Sequence, residues 1–266
     1  MNDTVAAFRR DGAVLLKGVL DAVQVATLAA AIDENLASPS PRAITASRPD
    51  DGGRFVEDFR NWTRIEGYRR TIMESRLGEI AAALTGSSTI RLHHDHMLTK
   101  EAGTQAPTPW HQDQPYYDFD GQQNVSFWIP VDPVPRAASL EFVAGSHLGP
   151  WLMPRTFMTN EARWFPEGSL ADLPNIEADR SAFPILGWGL EPGDAIAFHM
   201  LTLHSAPGSQ HRRRAFSVRC IGDDVRRAPR PWRTSPDFPE LADVPAGTRF
   251  DGSLFPLLWP SKESPQ

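Results

Sequence analysis

Prolines are spread through the whole chain, and this distribution limits what the chain can fold into. The sequence has 266 residues, of which 24 are proline and 19 are glycine. Proline interrupts helices and the interior of sheets, so such a chain favours many short strands joined by turns. Helical patterns are concentrated near the N-terminus. A capping box at Asp21 introduces a predicted helix over 22–36, and a second helix is predicted over 68–84.

Short runs of strand character recur along the rest of the chain. They lie at residues 13–16, 89–92, 97–98, 125–130, 139–143, 195–198 and 215–218. Short strands at regular spacing, with helices at the N-terminal end, predict a mainly β fold with helical additions. The architecture expected is a cupin-like jelly-roll barrel.

No linker or internal repeat divides the sequence, so we expect one domain over residues 1–266. Two segments depart from the strand pattern. Residues 151–187 are long and weakly periodic, which is typical of a lid or a specificity insert. Residues from about 226 onwards are rich in proline and arginine, and they are predicted to wrap around the barrel.

Composition argues against several classes of partner. The formal net charge is −6 and the sequence pI is about 5.7, so no basic bias suggests nucleic acid or an anionic membrane. No apolar run approaches the roughly 20 residues of a membrane helix. Cys220 is the single cysteine, which excludes an intrachain disulfide and fits a reducing cytosol. The expectation is a cytoplasmic protein that acts on a small molecule.

A His-x-Asp triplet stands within residues 109–117, Pro-Trp-His-Gln-Asp-Gln-Pro-Tyr-Tyr. In an extended strand, residues two apart point to the same side, so His111 and Asp113 would project an imidazole and a carboxylate towards one point. One further imidazole would complete the facial triad that is typical of non-haem Fe(II) oxygenases. Such a triad leaves about three coordination positions open for cosubstrate and dioxygen.

A competing group of the same residue types lies at 93–96, His-His-Asp-His. It contains a second His-x-Asp, His93 and Asp95, and also a His-x-His pair. The chain has eight histidines, and composition alone produces about one such triplet by chance. Spacing by itself therefore leaves both groups open as metal sites.

Four stretches together resemble the phytanoyl-CoA dioxygenase family of Fe(II)- and 2-oxoglutarate-dependent oxygenases. They are Phe-Arg-Arg-Asp-Gly at 8–12, Pro-Trp-His-Gln-Asp-Gln-Pro at 109–115, Leu-Glu-Phe-Val-Ala-Gly-Ser-His at 140–147, and Gly-Asp at 193–194 leading to His204. The resemblance implies a double-stranded β-helix, with Fe(II) as the metal and 2-oxoglutarate and dioxygen as cosubstrates. It places the metal ligands at His111, Asp113 and His204.

The resemblance also implies residues that bind 2-oxoglutarate. Its basic-basic-small pattern before a strand places the cosubstrate arginine at Arg213, with Arg214 as the runner-up one residue along. Trp128 matches a position that lines the cosubstrate pocket. His96 and Lys100 precede the triplet and are weaker candidates for the same pocket. No catalytic residue beyond the metal ligands is predicted.

The implied reaction is hydroxylation of a small molecule with release of succinate and CO2. Asp113 favours this over halogenation, because a related halogenase would need a small residue there to leave room for chloride. Two alternatives remain. One is a metal-dependent cupin-like isomerase or hydrolase that does not use 2-oxoglutarate and takes ligands from residues 93–96. The other is a binding protein without catalytic activity.

Overall fold

The computed structural model describes residues 2–47, 51–105, 107–154 and 165–260. Within these ranges the helices are α1 (Asn2–Asp11), α2 (Ala22–Ala37), α3 (Glu66–Glu74) and α4 (Leu77–Thr85). The strands are β1 (Ala13–Leu16), β2 (Ile44–Thr45), β3 (Phe55–Phe59), β4 (Ile90–Lys100), β5 (Thr108–His111), β6 (Phe119–Asp120), β7 (Asn124–Pro130), β8 (Glu141–Val143), β9 (Ile185–Gly187), β10 (Ala195–Phe198), β11 (His204–Ala206), β12 (Arg213–Ile221), β13 (Arg226–Arg227) and β14 (Leu257–Trp259).

Two antiparallel sheets form opposite walls of one pocket. The larger has the order β1-β10-β7-β12-β4-β3-β2, with β14 added against β4, and the smaller has the order β5-β11-β8-β9. Residues from both sheets line the same pocket. The pairing confirms the predicted mainly β fold with N-terminal helices, and it is consistent with a double-stranded β-helix.

Strand β12 shows how the alternation of side chains separates the pocket from the core. Four of its residues line the pocket, namely Arg213, Ala215, Ser217 and Arg219. The residues between them on the opposite face include Phe216, Val218 and Cys220, which lie in the apolar core formed with the helices. Tyr68 of α3 stacks on Phe216 with ring centroids 4.2 Å apart. The helices thus cover the outer face of the large sheet and leave its inner face to the site.

Two sequence-based boundaries were wrong. The helix predicted over 68–84 is interrupted at Ser75, whose backbone is extended, and α4 then packs close to β14: a Cβ atom at Gly78 would lie 2.5 Å from the Leu258 carbonyl oxygen. The histidines predicted to lie between two strands belong to the single strand β4. Its pairing with β12 runs from Arg213 to Ile221 and holds the polar residues in the sheet.

The predicted C-terminal wrap contributes two short strands, each paired with a strand from earlier in the chain. β13 pairs with β6, and β14 pairs with β4. In the predicted insert over 151–187, residues 155–164 lie outside the described part. The remainder contains a bridge between Leu152 and Ala171, and β9, which extends the smaller sheet beside β8. Among the described helices, none is both long and apolar enough to span a membrane.

Candidate metal and cosubstrate site

Three side chains from two neighbouring strands and a turn meet at one end of the smaller sheet. His111 of β5 and His204 of β11 are paired directly across the sheet, and their ring centroids lie 4.2 Å apart. The Asp113 Oδ1 atom is 3.5 Å from the His111 Nε2 atom and 3.7 Å from the His204 Nε2 atom. The potential ligand atoms of all three residues lie within 4.8 Å of one another. Two imidazoles and one carboxylate are the donor set of a facial triad.

The strand geometry expected for the triplet stops short of Asp113. β5 ends at His111, and Asp113 has helical φ and ψ angles of −74° and −44° at the start of a 3₁₀ turn. The Met200 carbonyl accepts bonds from the backbone N–H groups of Asp113 and Gln114. Gln112 turns away from the site and donates to the Leu201 carbonyl. A turn anchored to the segment before β11, rather than strand alternation, therefore aims the carboxylate at the two histidines.

Backbone contacts orient both imidazoles. The Nδ1 atom of His111 lies 2.8 Å from the Pro109 carbonyl oxygen, and that of His204 lies 2.9 Å from the Thr202 carbonyl oxygen. A carbonyl can only accept, so each Nδ1 carries a proton and donates it, and each Nε2 points towards Asp113. Burial, reinforced by His111, lowers the pKa of His204 to about 3, so its ring is neutral and available as a ligand.

A buried arginine that the sequence patterns did not single out accompanies the carboxylate. Arg219 donates from Nη2 to the Asp113 Oδ2 atom and from Nε to the Tyr117 hydroxyl, each over 3.2 Å. Burial acts to raise the pKa of Asp113, but Arg219 and the two histidines outweigh it, so the pKa lies well below its usual range. Arg219 could have been predicted from the sequence, because residues two apart on a strand face the same side and Arg219 lies six residues after Arg213 on β12.

The predicted cosubstrate arginine lies inside the barrel and its runner-up lies outside. Arg213 is buried, lines the pocket, donates to the Ala138 carbonyl and stands 5.6 Å from the centre of the Trp128 ring. Burial lowers its pKa to about 10, and it forms no ion pair with a carboxylate of the described residues. Arg214 instead pairs with Asp132 and Asp33 on the outer face, so the runner-up position does not reach the pocket.

The two weaker candidates, His96 and Lys100, also face the pocket. Lys100 is paired with Arg213 across the sheet and donates to the Pro207 carbonyl over 2.9 Å. Burial, followed by the charge of Arg213, lowers the Lys100 pKa to about 7. The His96 Nε2 atom lies 3.2 Å from the Glu57 Oε1 atom, and its ring stacks on Phe59 at 4.0 Å. Glu57, which the sequence patterns did not single out, thus adds a carboxylate to the pocket wall.

The competing histidine group is not assembled as a metal site. Along β4, Arg219 is paired with His94 but Cys220 with Leu92, so His93 is the extra residue of a β-bulge. The bulge brings the Nδ1 atoms of His93 and His94 to 2.7 Å. Asp95 accepts instead from the backbone N–H groups at positions 61 and 62. Among the described residues, the group found to be arranged for a metal is His111, Asp113 and His204.

The pocket around these groups has a cavity volume of about 120 Å³ and opens to solvent. Its wall is largely apolar, with a few polar groups converging at the triad, which is the usual form of a small-molecule site. Aromatic side chains contribute much of that wall, namely Phe55, Phe59, Tyr116, Tyr117, Trp128 and Phe198. Ser235 of the C-terminal segment also lines it.

Comparison with known proteins identifies the family. The family model of phytanoyl-CoA dioxygenase (PhyH) matches residues 8–215. The chain belongs to this family. No curated protein sequence matches the chain significantly.

Solved structures of similar shape extend over almost the whole chain. The non-haem α-ketoglutarate-dependent epimerase SnoN from nogalamycin biosynthesis is 25% identical, with a TM-score of 0.78 over 99% of this chain and 98% of that one. The carbocyclase SnoK from the same biosynthesis is 22% identical, with a TM-score of 0.75 over 97% and 96%. EctD from S. alaskensis, solved with 2-oxoglutarate and 5-hydroxyectoine, is 20% identical, with a TM-score of 0.68 over 96% and 88%. The last two likenesses concern the fold alone.

The predicted family and fold are therefore confirmed, as is the class of 2-oxoglutarate-dependent oxygenases. Iron and 2-oxoglutarate, the predicted cofactors, are those of this class, and SnoN has been crystallised with Fe³⁺ and α-ketoglutarate. The alternatives of a cupin-like isomerase or hydrolase without 2-oxoglutarate, and of a non-catalytic binding protein, lose their basis.

Proposed function

We propose that this protein is an Fe(II)- and 2-oxoglutarate-dependent dioxygenase that hydroxylates a small molecule. One observation carries the proposal: the triad of His111, Asp113 and His204 shares a pocket with Arg213, a buried cation that forms no ion pair with a carboxylate of the described residues. A buried charge without a counter-charge is costly, and an anionic ligand would remove that cost. A dicarboxylate would bind the metal with one end and pair with Arg213 at the other end.

Each of these pocket residues would have a separate role in binding. His111, Asp113 and His204 hold the metal by one face, and Arg213 receives the distal carboxylate of 2-oxoglutarate through its planar fork. Trp128 lies beside that guanidinium and limits where the cosubstrate can lie. Lys100, one strand away, adds a second nitrogen at the same end of the pocket. The metal with 2-oxoglutarate supplies the activation of dioxygen and releases succinate and CO2.

The apolar wall would hold the substrate and keep water from the reacting centre. Phe59, Tyr116 and Glu57 line the pocket, and the Glu57 carboxylate would face a polar group of the substrate. We also propose that residues 1–266 act as one domain in the cytoplasm. Strands as distant in sequence as β1 and β14 belong to one sheet, and the single cysteine is buried.

A second candidate is epimerisation, and the likeness to SnoN favours it because SnoN is an epimerase with the highest TM-score among the structures compared above. Both reactions begin by removing a hydrogen from substrate carbon, so the same site serves either. Hydroxylation places oxygen from O2 in the product, whereas epimerisation returns a hydrogen, adds no oxygen and takes two electrons from an added reductant such as ascorbate, so that the second oxygen atom leaves as water. Products formed under ¹⁸O2 in D2O separate the two by mass.

The decisive experiment is an anaerobic titration of the protein with Fe(II) and then with 2-oxoglutarate. We expect the weak visible metal-to-ligand charge-transfer band to appear in the wild type and to be absent in His111→Ala. Iron that binds without any such band on addition of 2-oxoglutarate would overturn the proposal. A fully active His111→Ala protein would overturn the ligand assignment.

A further inference from the structure

Arg219 occupies a position inside the barrel that the proposed reaction does not require for any bond to substrate or cosubstrate. It lies on β12 between Ser126 of β7 and His94 of β4, and its side chain is 6% exposed. Arg213, proposed to bind 2-oxoglutarate, is six residues earlier on the same face. Burying a cation this deeply costs desolvation free energy, and a nearby negative charge is needed to offset that cost.

The contacts of Arg219 separate the two oxygens of Asp113. The Nη2 atom donates to Oδ2 over 3.2 Å, while Oδ1 is the oxygen that faces the Nε2 atoms of His111 and His204. The Nε atom donates to the Tyr117 hydroxyl, which holds the guanidinium plane in place. One carboxylate oxygen is thus engaged by the arginine, and the other is left for a metal.

The third nitrogen of Arg219 is buried as well. Nη1 makes no hydrogen bond to the described protein atoms, and Arg219 lines the pocket. The hydrogen bonds that the structure gives to the guanidinium therefore go to Asp113 and Tyr117.

We propose that Arg219 is a positioning residue that restricts Asp113 to binding the metal through Oδ1 alone. This inference rests on the proposed function. A carboxylate that bound through both oxygens would occupy one of the roughly three positions that a facial triad leaves open. 2-Oxoglutarate needs two of these and dioxygen needs one. By holding Oδ2, Arg219 preserves the number of open positions.

Co(II) titration of the protein without cosubstrate tests this inference, because Co(II) reports both affinity and coordination through its visible spectrum. Arg219→Met is compared with the wild type and with Arg214→Met, which removes an arginine from the outer face of the same strand. We expect Arg219→Met to give a Co(II) spectrum that differs from that of the wild type in band position and intensity, because the freed Oδ2 atom then joins Oδ1 in coordination. Arg214→Met should match the wild type in both affinity and spectrum.

The outcomes are distinct. A wild-type spectrum in Arg219→Met would overturn the inference, with or without a loss of thermal stability, since a purely structural arginine would leave the coordination unchanged. If Arg219→Met does not fold, Arg219→Gln is read by the same criteria. If the wild-type protein binds Co(II) no more tightly than His111→Ala does, the proposed function itself is contradicted.

Discussion

The consecutive arginines of β12 have opposite environments although they are adjacent in sequence. Arg213 faces the pocket without a carboxylate partner in the described chain, whereas Arg214 is held between Asp132 and Asp33 outside. Neighbouring strand residues point to opposite faces, so a shift of one residue would exchange their roles. Charge type alone therefore says little about which arginine can bind a ligand.

Replacement of Arg213 tests the cosubstrate assignment. Losing a charge-assisted, bidentate contact worth about 1.5–3 kcal/mol should raise the KM for 2-oxoglutarate by about 10–100-fold in Arg213→Met. Co(II) affinity without cosubstrate should persist, because Arg213 is not a ligand. Arg214→Met is the matched control and should keep the wild-type KM. A raised KM in Arg214→Met with an unchanged value in Arg213→Met would reverse the assignment.

Lys100 predicts a pH dependence for cosubstrate binding. Its pKa is lowered to about 7, so the second positive charge beside Arg213 is present below pH 7 and is lost above it. The KM for 2-oxoglutarate should rise as pH increases through about 7, and this rise should be absent in Lys100→Met. The test is to measure the KM for 2-oxoglutarate from pH 6 to 9 in the wild type and in Lys100→Met. Equal pH profiles in the two proteins would contradict the prediction.

The same group affects stability with a defined sign. The unfolded chain keeps the ordinary lysine pKa near 10.5, so between about pH 7 and that value the unfolded state binds more protons. The contribution of Lys100 to the free energy of unfolding therefore rises with pH across this window. Below pH 7 its buried charge lowers stability in full.

At the scale of elements, the C-terminal segment donates hydrogen bonds to the turn that follows the His-x-Asp triplet. Backbone carbonyls at positions 115–119 accept, in order, from the Trp232 indole, the Ser235 N–H, the Arg230 guanidinium, the Ala228 N–H and again Arg230. This turn carries Tyr116 and Tyr117 into the pocket wall. The wrap thus supplies hydrogen-bond donors to this turn from Arg230, from the Trp232 indole and from the backbone N–H groups of Ala228 and Ser235.

Arg230→Met should loosen this support. Buried carbonyls that lose a donor cost about 1–3 kcal/mol in the free energy of unfolding, which urea denaturation measures. Arg70→Met removes an exposed pair with Glu74 on α3 and should cost no more than about 0.3–0.5 kcal/mol. Equal losses in the two variants would show that the contacts of Arg230 contribute no more than a surface pair.

At the scale of the whole molecule, the metal should stabilise the fold. Its proposed ligands are separated by 93 residues in sequence and meet only in the folded state, so binding favours that state. At a metal concentration of about 100 times Kd the gain is about 2.7 kcal/mol, or roughly 5–10 °C in Tm for a chain of this size. Removing Co(II) with a chelator should lower Tm by this amount, and the shift should be absent in His111→Ala. A wild-type Tm that is indifferent to metal would contradict the prediction.

Local sequence determined much of the fold and of the candidate site. Strand-like runs, the capping box at Asp21 and the His-x-Asp triplet depend on neighbouring residues, and the structure contains each of them. The interruption at Ser75 and the continuity of β4 were missed because both depend on partners remote in sequence, β14 and β12. The helical backbone of Asp113 was missed for the same reason, since Met200 holds the turn.

By itself, the sequence determined which residue types were available: two separated histidines, an aspartate and a set of arginines. Only the tertiary structure decided their surroundings. Pairing across the sheets turned Arg213 and Arg219 inward and Arg214 outward, and a bulge set the His93 and His94 rings against each other, apart from any third metal ligand among the described residues. The physical reason is that a side chain's partners and burial depend on strand register and on the facing sheet, and both are set by contacts between residues far apart in the chain.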